Sequence, residues 1–433
     1  MSPEVVGILG LIVMVVLLLL RVPVAVAMIA VGVIGFTIII NREAAFARLG
    51  SDAFFGASLY SLSVIPLFVF MGLILAASAL GEDVYKAIDA FLWRLRGGLG
   101  VATIGASALF GAVSGSAVAS ATTMSVVAVP EMKRFDYDGG HAAATAAVGG
   151  TLGALIPPSA VLVLYGVLTE EPIGQVLIGG IIPGIMCAVF LMFTAWLVVV
   201  IRPQYAPRAP VKPDLSKLRA IASIWAVPLI FFIVMGGIYQ GFFTPTEAGA
   251  AGAALSILYA LITRRMTRSG FMAALSRTIR TTSFIFMLVI GGQIFGFFLS
   301  ASRIPIELGE WIRGLDVAPA IIVSAIFVIY FILGALMDEI AILVIMTPIM
   351  YPVIIGLGYS GVWFGVLTIM MLLTGLLMPP VGLITFVVAG VTKIPLSDVF
   401  RGIFPFVAAL AVAIMLVIFF PEIATWLPDL MSN

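Results

Sequence analysis

Long uncharged, apolar stretches alternate with short polar segments along this chain, and the pattern predicts membrane-spanning helices. The longest uncharged stretch, Ile340–Thr392, runs for 53 residues without an acidic or basic side chain. A helix needs about 20 apolar residues to cross a bilayer, so this stretch predicts two or three membrane segments. Applied to the whole chain, the same reasoning predicts about 11 spans together with broken or re-entrant pieces.

Glu82–Arg96 is a polar segment with a different pattern. Its charged residues are interleaved with Val84, Ile88, Leu92 and other apolar side chains at helical spacing, which places the apolar residues on one face. This predicts an amphipathic helix lying at the membrane interface. A charged loop is the alternative interpretation of the same segment.

Two segments, Arg202–Arg219 and Arg264–Arg280, contain nearly half of the 22 basic residues. Cytoplasmic loops of membrane proteins carry an excess of Lys and Arg. We expect both segments to be loops. Two predicted spans separate these loops, so both can lie on one side, which we expect to be the cytoplasm. The proline-rich stretch Pro203–Pro213 is then a linker between two halves of the chain.

The two halves share a set of proline, glycine and tyrosine positions when one half is shifted by 222 residues. The matching pairs are Pro130 and Pro352, Tyr137 and Tyr359, Gly153 and Gly375, Pro157 and Pro379, Pro158 and Pro380, Gly180 and Gly402, and Pro183 and Pro405. Interrupted hydrophobic segments at corresponding places in two halves are typical of secondary transporters. Proline removes a helical hydrogen bond, and the carbonyl oxygens that it frees can bind a cation at the break.

Composition narrows the class of protein. Of 433 residues, 62% are hydrophobic and 10% are charged, whereas soluble proteins have about 45–50% and about 25%, which predicts a polytopic membrane protein. The net charge of +1 argues against nucleic-acid binding. A single cysteine, Cys187, and a single histidine, His141, argue against disulfide frameworks and zinc or di-iron sites. The sequence has no phosphate-binding loop for ATP, and we expect neither an enzyme nor a bound cofactor.

Two pairs of segments are candidates for ion sites. In the first half, the small residues of Gly111–Ser120 pair with the Pro-Pro break in Gly153–Ser159; taken alone, the small residues also fit tight helix packing. In the second half, Gly334–Asp338 pairs with Thr374–Val381. Asp338 either faces this site, since ionisable residues at membrane depth are usually functional, or caps a helix at the water interface.

Two further polar positions have simple structural interpretations. Thr244 or Thr246 is expected to cap the helix that follows, with Glu247 favourable beside the N-terminus of that helix. His141 is expected at the start of a helix near the membrane interface.

Several motifs together make the chain resemble the large membrane subunit of TRAP transporters, the tripartite ATP-independent periplasmic transporters. The resemblance covers essentially the whole chain and rests on Ile65-Pro66-Leu67-Phe68 with Gly72, Arg96-Gly97-Gly98-Leu99, Ser114-Gly115-Ser116 with Ala119, Pro130-Glu131-Met132 before Phe135-Asp136-Tyr137, Gly153 to Ser159, Gly180 to Gly184, Thr244 to Ala248, and Pro379-Pro380-Val381-Gly382. It implies an all-α polytopic membrane protein, an inverted-repeat elevator-type transporter with about 11 transmembrane helices and two re-entrant helical hairpins.

The resemblance also implies a division of the chain into scaffold and transport parts. The expected parts are N-terminal scaffold helices (1–80), an amphipathic arm helix (81–97), a first transport-domain repeat of hairpin plus broken helix (98–201), a basic linker with scaffold helices (202–263), scaffold helices with a connecting arm (264–316), a second transport-domain repeat (317–402) and a C-terminal helix (403–433).

For function, the resemblance implies sodium-coupled uptake of an organic acid, such as a C4-dicarboxylate or sialic acid, across the bacterial inner membrane. It implies two protein partners, a periplasmic binding protein that delivers the substrate and a separate, four-helix small membrane subunit. No cofactor is implied beyond sodium as the coupling ion. A sodium- or proton-coupled carboxylate carrier that needs no binding protein, and a channel, are the alternatives.

The sodium sites of the family fall on two sets of four residues in this sequence. The first set is Ser114, Gly153, Ile156 and Pro158, and the second is Gly334, Gly375, Met378 and Val381, mostly through backbone carbonyls. Family members often have threonine at the position of Met378, so a hydroxyl ligand would be lost there while a main-chain contact would survive. The residues expected in the substrate region between the hairpins are Ser116, Ser159, Asp338 and Gly382.

Overall fold

The computed structural model describes residues 1–206, 216–314 and 317–431, without the side chains of Asp52 and Arg313. Every regular element formed by these residues is helical. The predicted linker Pro203–Pro213 lies largely outside the described residues. Its first residues form a single 3-10 turn, Pro203–Tyr205, and a second such turn is Tyr60–Ser63.

Eleven α-helices lie before the linker. They are α1 (Pro3–Leu19), α2 (Val24–Ile39), α3 (Arg42–Ser58), α4 (Val64–Ala77), α5 (Leu80–Leu92), α6 (Gly98–Ser114), α7 (Ala117–Arg134), α8 (Gly139–Leu155), α9 (Ala160–Thr169), α10 (Ile173–Gly179) and α11 (Ile181–Ile201).

Eleven more follow in the described residues after the linker. They are α12 (Lys217–Ser223), α13 (Ala226–Tyr239), α14 (Pro245–Thr263), α15 (Arg268–Ala301), α16 (Ile304–Arg313), α17 (Pro319–Gly334), α18 (Glu339–Gly356), α19 (Gly361–Gly375), α20 (Leu383–Thr392), α21 (Leu396–Phe419) and α22 (Glu422–Asp429).

The helices of the two halves follow the same 222-residue shift as the proline and glycine pairs. Helices α6 and α7 form a hairpin that corresponds to α17 and α18, and α8 and α9 correspond to α19 and α20. The starts of α7 and α18, Ala117 and Glu339, differ by that shift, as do Gly139 and Gly361 at the starts of α8 and α19. In both halves the interruption between the last two helices contains the Pro-Pro pair, joined by a cis peptide bond.

An all-helical membrane protein is confirmed, and its number of spans stays a prediction. Among the described residues, six helices are long and apolar enough to cross a bilayer, or up to eight spans if each bent pair counts as one. Six other apolar helices have only 10–17 residues: α1, α2, α6, α17, α19 and α20. The figure of about 11 depends on how many of these shorter helices cross the membrane.

The basic segment Arg264–Arg280 is not a loop, contrary to our expectation. Its residues from Arg268 onward begin α15, a helix of 34 residues. At about 1.5 Å per residue α15 is about 51 Å long, which exceeds the bilayer core of about 30 Å. Arg277 and Arg280 are exposed, so the basic end of α15 can extend out of the membrane without interrupting the helix.

Other expected local features are confirmed. The amphipathic segment is helical, although α5 begins two residues earlier than Glu82 and ends at Leu92. Thr244 caps α14 in a capping box with Glu247: the Glu247 amide donates to Thr244 Oγ1 at 3.3 Å, and Glu247 Oε2 accepts from the Thr244 amide at 2.8 Å. His141 lies in the first turn of α8.

Helix α5 forms an ion pair near its N-terminus and has a partly buried carboxyl group near its C-terminus. Arg265, between α14 and α15, forms an ion pair with Asp83. Asp89 has a buried Oδ1 atom without a hydrogen-bond partner in the described part of the chain. Burial, with a smaller contribution from the Glu131 carboxylate of α7, raises the pKa of Asp89 from 3.8 to about 6.

This raised pKa predicts a pH-dependent stability. Because the folded pKa of Asp89 exceeds its unfolded value, the protein should lose stability as pH rises from about 4 to about 6, with the full loss present above that range. Asp89→Asn should therefore raise the melting temperature at pH 8 and leave it unchanged near pH 4. Scanning fluorimetry of the detergent-purified protein measures this. The exposed Glu310→Gln should give no such difference, and an equal shift in both variants would contradict the assignment.

The helices form two packed groups, and the second group contains helices of both repeats. On one side, α2, α3 and α4 pack against the long helix α15, and α14 packs against α4 and α13. On the other, α8 packs between the hairpin α6–α7 and α21, while α19 packs against α17. The groups meet where α4 contacts α6 and where α15 contacts α18, so each hairpin touches the first group directly.

Candidate functional site

The first candidate site is the junction between the α6–α7 hairpin tip and the break between α8 and α9. At the tip, Gly115 adopts a left-handed conformation with φ +64° between Ser114, which ends α6, and Ser116, which caps α7. The amide of Ala160 donates to the Gly115 carbonyl at 3.4 Å. This bond joins the hairpin tip to the start of α9.

Glycines permit the two backbones to approach closely at this junction. A Cβ atom at Gly153 would lie 2.7 Å from the carbonyl oxygen of Ser116, and one at Gly115 would lie 2.6 Å from that of Pro158. Real Cβ contacts are essentially never below 3.0 Å. The structure thus brings together Ser114, Gly153 and Pro158 of the first predicted sodium set, and Ile156 lies in the same break.

The break leaves carbonyl oxygens without their helical partners. In a regular helix the carbonyls of Gly153 and Ala154 accept from residues 157 and 158, and both are prolines without an N–H. Ala154 is compensated, because Ser159 Oγ donates to its carbonyl at 2.5 Å and also accepts from the Leu162 amide at 3.3 Å. Gly153 thus offers an oxygen that its own helix does not use.

Ser114 adds an unused hydroxyl to this junction. Its side chain is 5% exposed, and its Oγ atom has no hydrogen-bond partner among the described residues. A buried hydroxyl without a partner destabilises the fold by about 1–3 kcal/mol. A ligand that the hydroxyl contacts would remove this penalty.

The second junction, between α17–α18 and the break between α19 and α20, has the same arrangement with more of its polar groups paired. A Cβ atom at Gly375 would lie 2.5 Å from the Phe331 carbonyl oxygen and 2.8 Å from the Cα atom of Gly334. The amides of Val381 and Gly382 both donate to the Ala335 carbonyl, at 3.2 and 3.4 Å. The hairpin tip is therefore held to the break by the backbone.

Met378, the remaining residue of the second predicted set, lies inside this break. The Met378 amide donates to the Gly375 carbonyl at 2.8 Å. A Cβ atom at Gly382 would lie 3.0 Å from the carbonyl oxygen of Met378. Two neighbouring carbonyls are already used, since Leu376 accepts from the Ile384 amide and Leu377 accepts from the Thr385 hydroxyl. Met378 therefore takes part in the junction through its main chain.

The four residues expected in the substrate region share one structural role: each is the N-cap of a helix. They are Ser116 before α7, Ser159 before α9, Asp338 before α18 and Gly382 before α20. Helix α9 packs on α18, and α20 packs on α7. Each break thus contacts the hairpin of the other repeat, which draws the two junctions into one region.

Asp338 has a structural role at its cap position. Its carboxylate accepts a hydrogen bond from the Ile340 amide at 3.0 Å, so Asp338 caps α18, and its place in the substrate region stays a prediction. Glu339, which we did not assign to the site, is 6% exposed and its Oε2 atom has no partner among the described residues. Its position at the edge of the longest uncharged stretch was the sequence signal for it.

Comparison with known proteins places the chain in a family. Residues 11–423 match the family described as tripartite ATP-independent periplasmic transporter, DctM component. The C4-dicarboxylate TRAP transporter large permease protein DctM of Pseudomonas aeruginosa is 31% identical over 372 residues, which are 86% of each chain. The sialic acid TRAP transporter large permease protein SiaM of Vibrio cholerae is 31% identical, covering 87% of this chain and 88% of its own.

Two further comparisons extend this result. The ectoine TRAP transporter large permease protein TeaC of Halomonas elongata is 30% identical over 96% of this chain and 97% of its own. The crystal structure of the Alcanivorax borkumensis YdaH transporter is similar in fold, with a TM-score of 0.65, 14% identity, and coverage of 90% of this chain and 88% of that one. The chain therefore belongs to the DctM family, the large permease component of tripartite ATP-independent periplasmic transporters.

Proposed function

We propose that this protein is the permease of a tripartite system that imports an organic acid across the bacterial inner membrane, driven by sodium. The observation that carries the proposal is the pair of junctions at which a hairpin tip meets a proline break. Each brings backbone carbonyls together at a point where a helix is interrupted. Such breaks are where secondary transporters bind substrates and coupling ions.

The oxygen atoms available at the first junction suit a sodium ion. The Gly153 carbonyl has no helical partner because Pro157 lacks an N–H, and the Ser114 hydroxyl is buried with no partner among the residues that the structure describes. Both are oxygen atoms, the ligand type that a hard cation such as sodium binds, and the cation would remove the penalty for their burial. At the second junction the ligands would be carbonyls of Gly334, Gly375, Met378 and Val381.

The substrate fits the region between the junctions by its charge. Four helices begin there, and a helix N-terminus carries a partial positive charge that favours anions. The first turns of α7, α9 and α20 contain no acidic residue, whereas the Asp338 carboxylate already caps α18. A carboxylate is the group that this environment favours. Substrates named for the relatives, a C4-dicarboxylate, sialic acid and ectoine, all carry one.

Movement would follow an elevator mechanism with the predicted division of the chain. The two repeats, 98–201 and 317–402, would move as a transport domain against the remaining helices. Gly72 of α4 would lie at this boundary, where a side chain on it would overlap with the carbonyl oxygen of Ser114. A periplasmic binding protein would deliver the substrate, and a four-helix small subunit would hold the scaffold in the bilayer.

Reconstitution into proteoliposomes tests the proposal by omitting one component at a time. The permease, the small subunit and the binding protein are combined with radiolabelled succinate, N-acetylneuraminate or ectoine under an inward sodium gradient. We expect saturable uptake of one substrate only when all three proteins are present. Uptake by the permease alone would indicate a carrier without a binding protein, and flux that neither saturates nor needs sodium would indicate a channel.

A further inference from the structure

A groove lies between α11 and α21, away from both junctions. Its volume is about 590 Å³, within the range of about 300–1,000 Å³ that is typical of small-molecule sites. Most of its lining is apolar, including Phe190, Leu197 and Val198 of α11 and Ala408 and Val412 of α21. The groove therefore suits a long apolar ligand.

We expect the groove to open on a surface that faces lipid rather than water. Both α11, with α10, and α21 are long and apolar enough to span a bilayer. Large apolar side chains beside the groove are exposed, among them Val189 at 55%, Phe193 at 56% and Val412 at 54%. A water-soluble protein would bury such side chains, whereas acyl chains solvate them.

One end of the groove is basic. Arg202, just after α11, and Arg401, in the second turn of α21, both line it. Arg202 Nη1 donates to Tyr205 Oη at 2.9 Å, and the Tyr205 ring stacks on His141 at 5.6 Å between centroids. The Arg202 guanidinium is thus held at the groove by a neutral partner.

The charged side chains that line the groove are both basic, and two carboxylates lie beside this end. The Asp138 amide donates to the Tyr205 carbonyl at 3.1 Å, and the Asp138 carboxylate accepts from the His141 amide at the start of α8. Asp398 is 3.9 Å from Arg401, and both side chains are largely exposed, so this contact is weak. Arg202 also begins the basic segment that we expect at the cytoplasmic face. Anionic lipids are enriched in the cytoplasmic leaflet, and basic pockets between membrane helices on that side bind their headgroups.

We propose that this groove binds an anionic phospholipid. Its phosphate lies between Arg202 and Arg401, and its acyl chains lie along α11 and α21. A free phosphate ion would match the arginines but not the apolar length of the groove. Helix α11 ends the first repeat and α21 begins at the end of the second. The lipid would therefore join the two repeats at their outer surface.

Native mass spectrometry of the delipidated, detergent-purified protein with added phosphatidylglycerol tests the headgroup end. Arg202→Gln with Arg401→Gln should raise the dissociation constant for phosphatidylglycerol by about fivefold for each charge removed. Arg277→Gln with Arg280→Gln removes the same charge from exposed positions of α15 and should leave binding unchanged. Equal losses in the two double variants would overturn the proposal, because they would show non-specific attraction to charge.

A second pair of variants tests the acyl-chain region. Ala408→Phe fills the groove and should also reduce phosphatidylglycerol binding, whereas Ala411→Phe, an exposed position on α21 outside the groove lining, should not. Equal binding by wild type and Ala408→Phe would overturn the proposal. So would phosphatidylcholine binding that equals phosphatidylglycerol binding, or inorganic phosphate that raises the melting temperature as much as the lipid does. Disulfide cross-linking of Ala408→Cys to the small subunit would assign the groove to a protein interface instead.

Discussion

Gly375→Ala is expected to reduce sodium-driven uptake by on the order of 100-fold, the typical effect of displacing functional groups by about 1 Å. The added methyl would lie 2.5 Å from the Phe331 carbonyl oxygen and 2.8 Å from the Cα atom of Gly334. Both obstacles are backbone atoms of α17, so the hairpin must move away from the break. Uptake by the reconstituted tripartite system measures the effect.

Gly390→Ala is the matched control for this variant. Gly390 lies in α20 of the same repeat, and an added Cβ atom there meets nothing within 4 Å. Alanine should even favour the helix slightly over glycine, so uptake should remain near the wild-type rate. Both variants must elute as a single species and melt cooperatively before their rates are compared. Full activity in folded Gly375→Ala would show that contact between α17 and α19 is not needed for transport.

Ser114→Ala is expected to raise the sodium concentration for half-maximal uptake by roughly 10- to 100-fold, since a hydrogen-bonding group that contacts a charge contributes about 1.5–3 kcal/mol. Without sodium, the variant should be as stable as wild type or slightly more stable, because the hydroxyl that it removes is buried and has no partner within the described ranges. With sodium, it should lose most of the rise in melting temperature that a bound ion produces.

Ser107→Ala separates this effect from the loss of any buried serine. Ser107 lies on the same helix and is fully buried, and its hydroxyl donates to the Thr103 carbonyl at 2.8 Å. Its removal should change neither the sodium dependence of uptake nor the sodium-induced thermal shift. An unchanged sodium response in Ser114→Ala would move the ion to another place in the structure.

The positions of the breaks could be predicted because proline acts locally. A Pro-Pro pair interrupts a helix whatever the surrounding structure, as at Pro157-Pro158 and Pro379-Pro380. The 222-residue shift then identified which helices of the two halves correspond. The Thr244 cap was also predictable, since a threonine three residues before a glutamate makes its bonds within one turn.

Features that depend on packing between distant segments could not be predicted. The arginines at the start of α15 suggested a loop, yet they are compatible with a helix that extends beyond the bilayer. Helix α3, with its exposed Phe54 and Phe55, was missed because its hydrophobicity is low for a span. Among the described residues, the Ser114 hydroxyl has no partner and the Glu339 carboxyl is buried. Both properties result from the packing of the hairpin tips against the proline breaks.

Uptake under opposed ion gradients tests the central claim most directly. Proteoliposomes containing the permease and small subunit are given the substrate-loaded binding protein, with an inward gradient of either sodium or potassium at equal ionic strength. The account predicts accumulation of substrate above its external concentration with sodium, and none with potassium. Equal accumulation under both gradients, or under neither gradient, would contradict it.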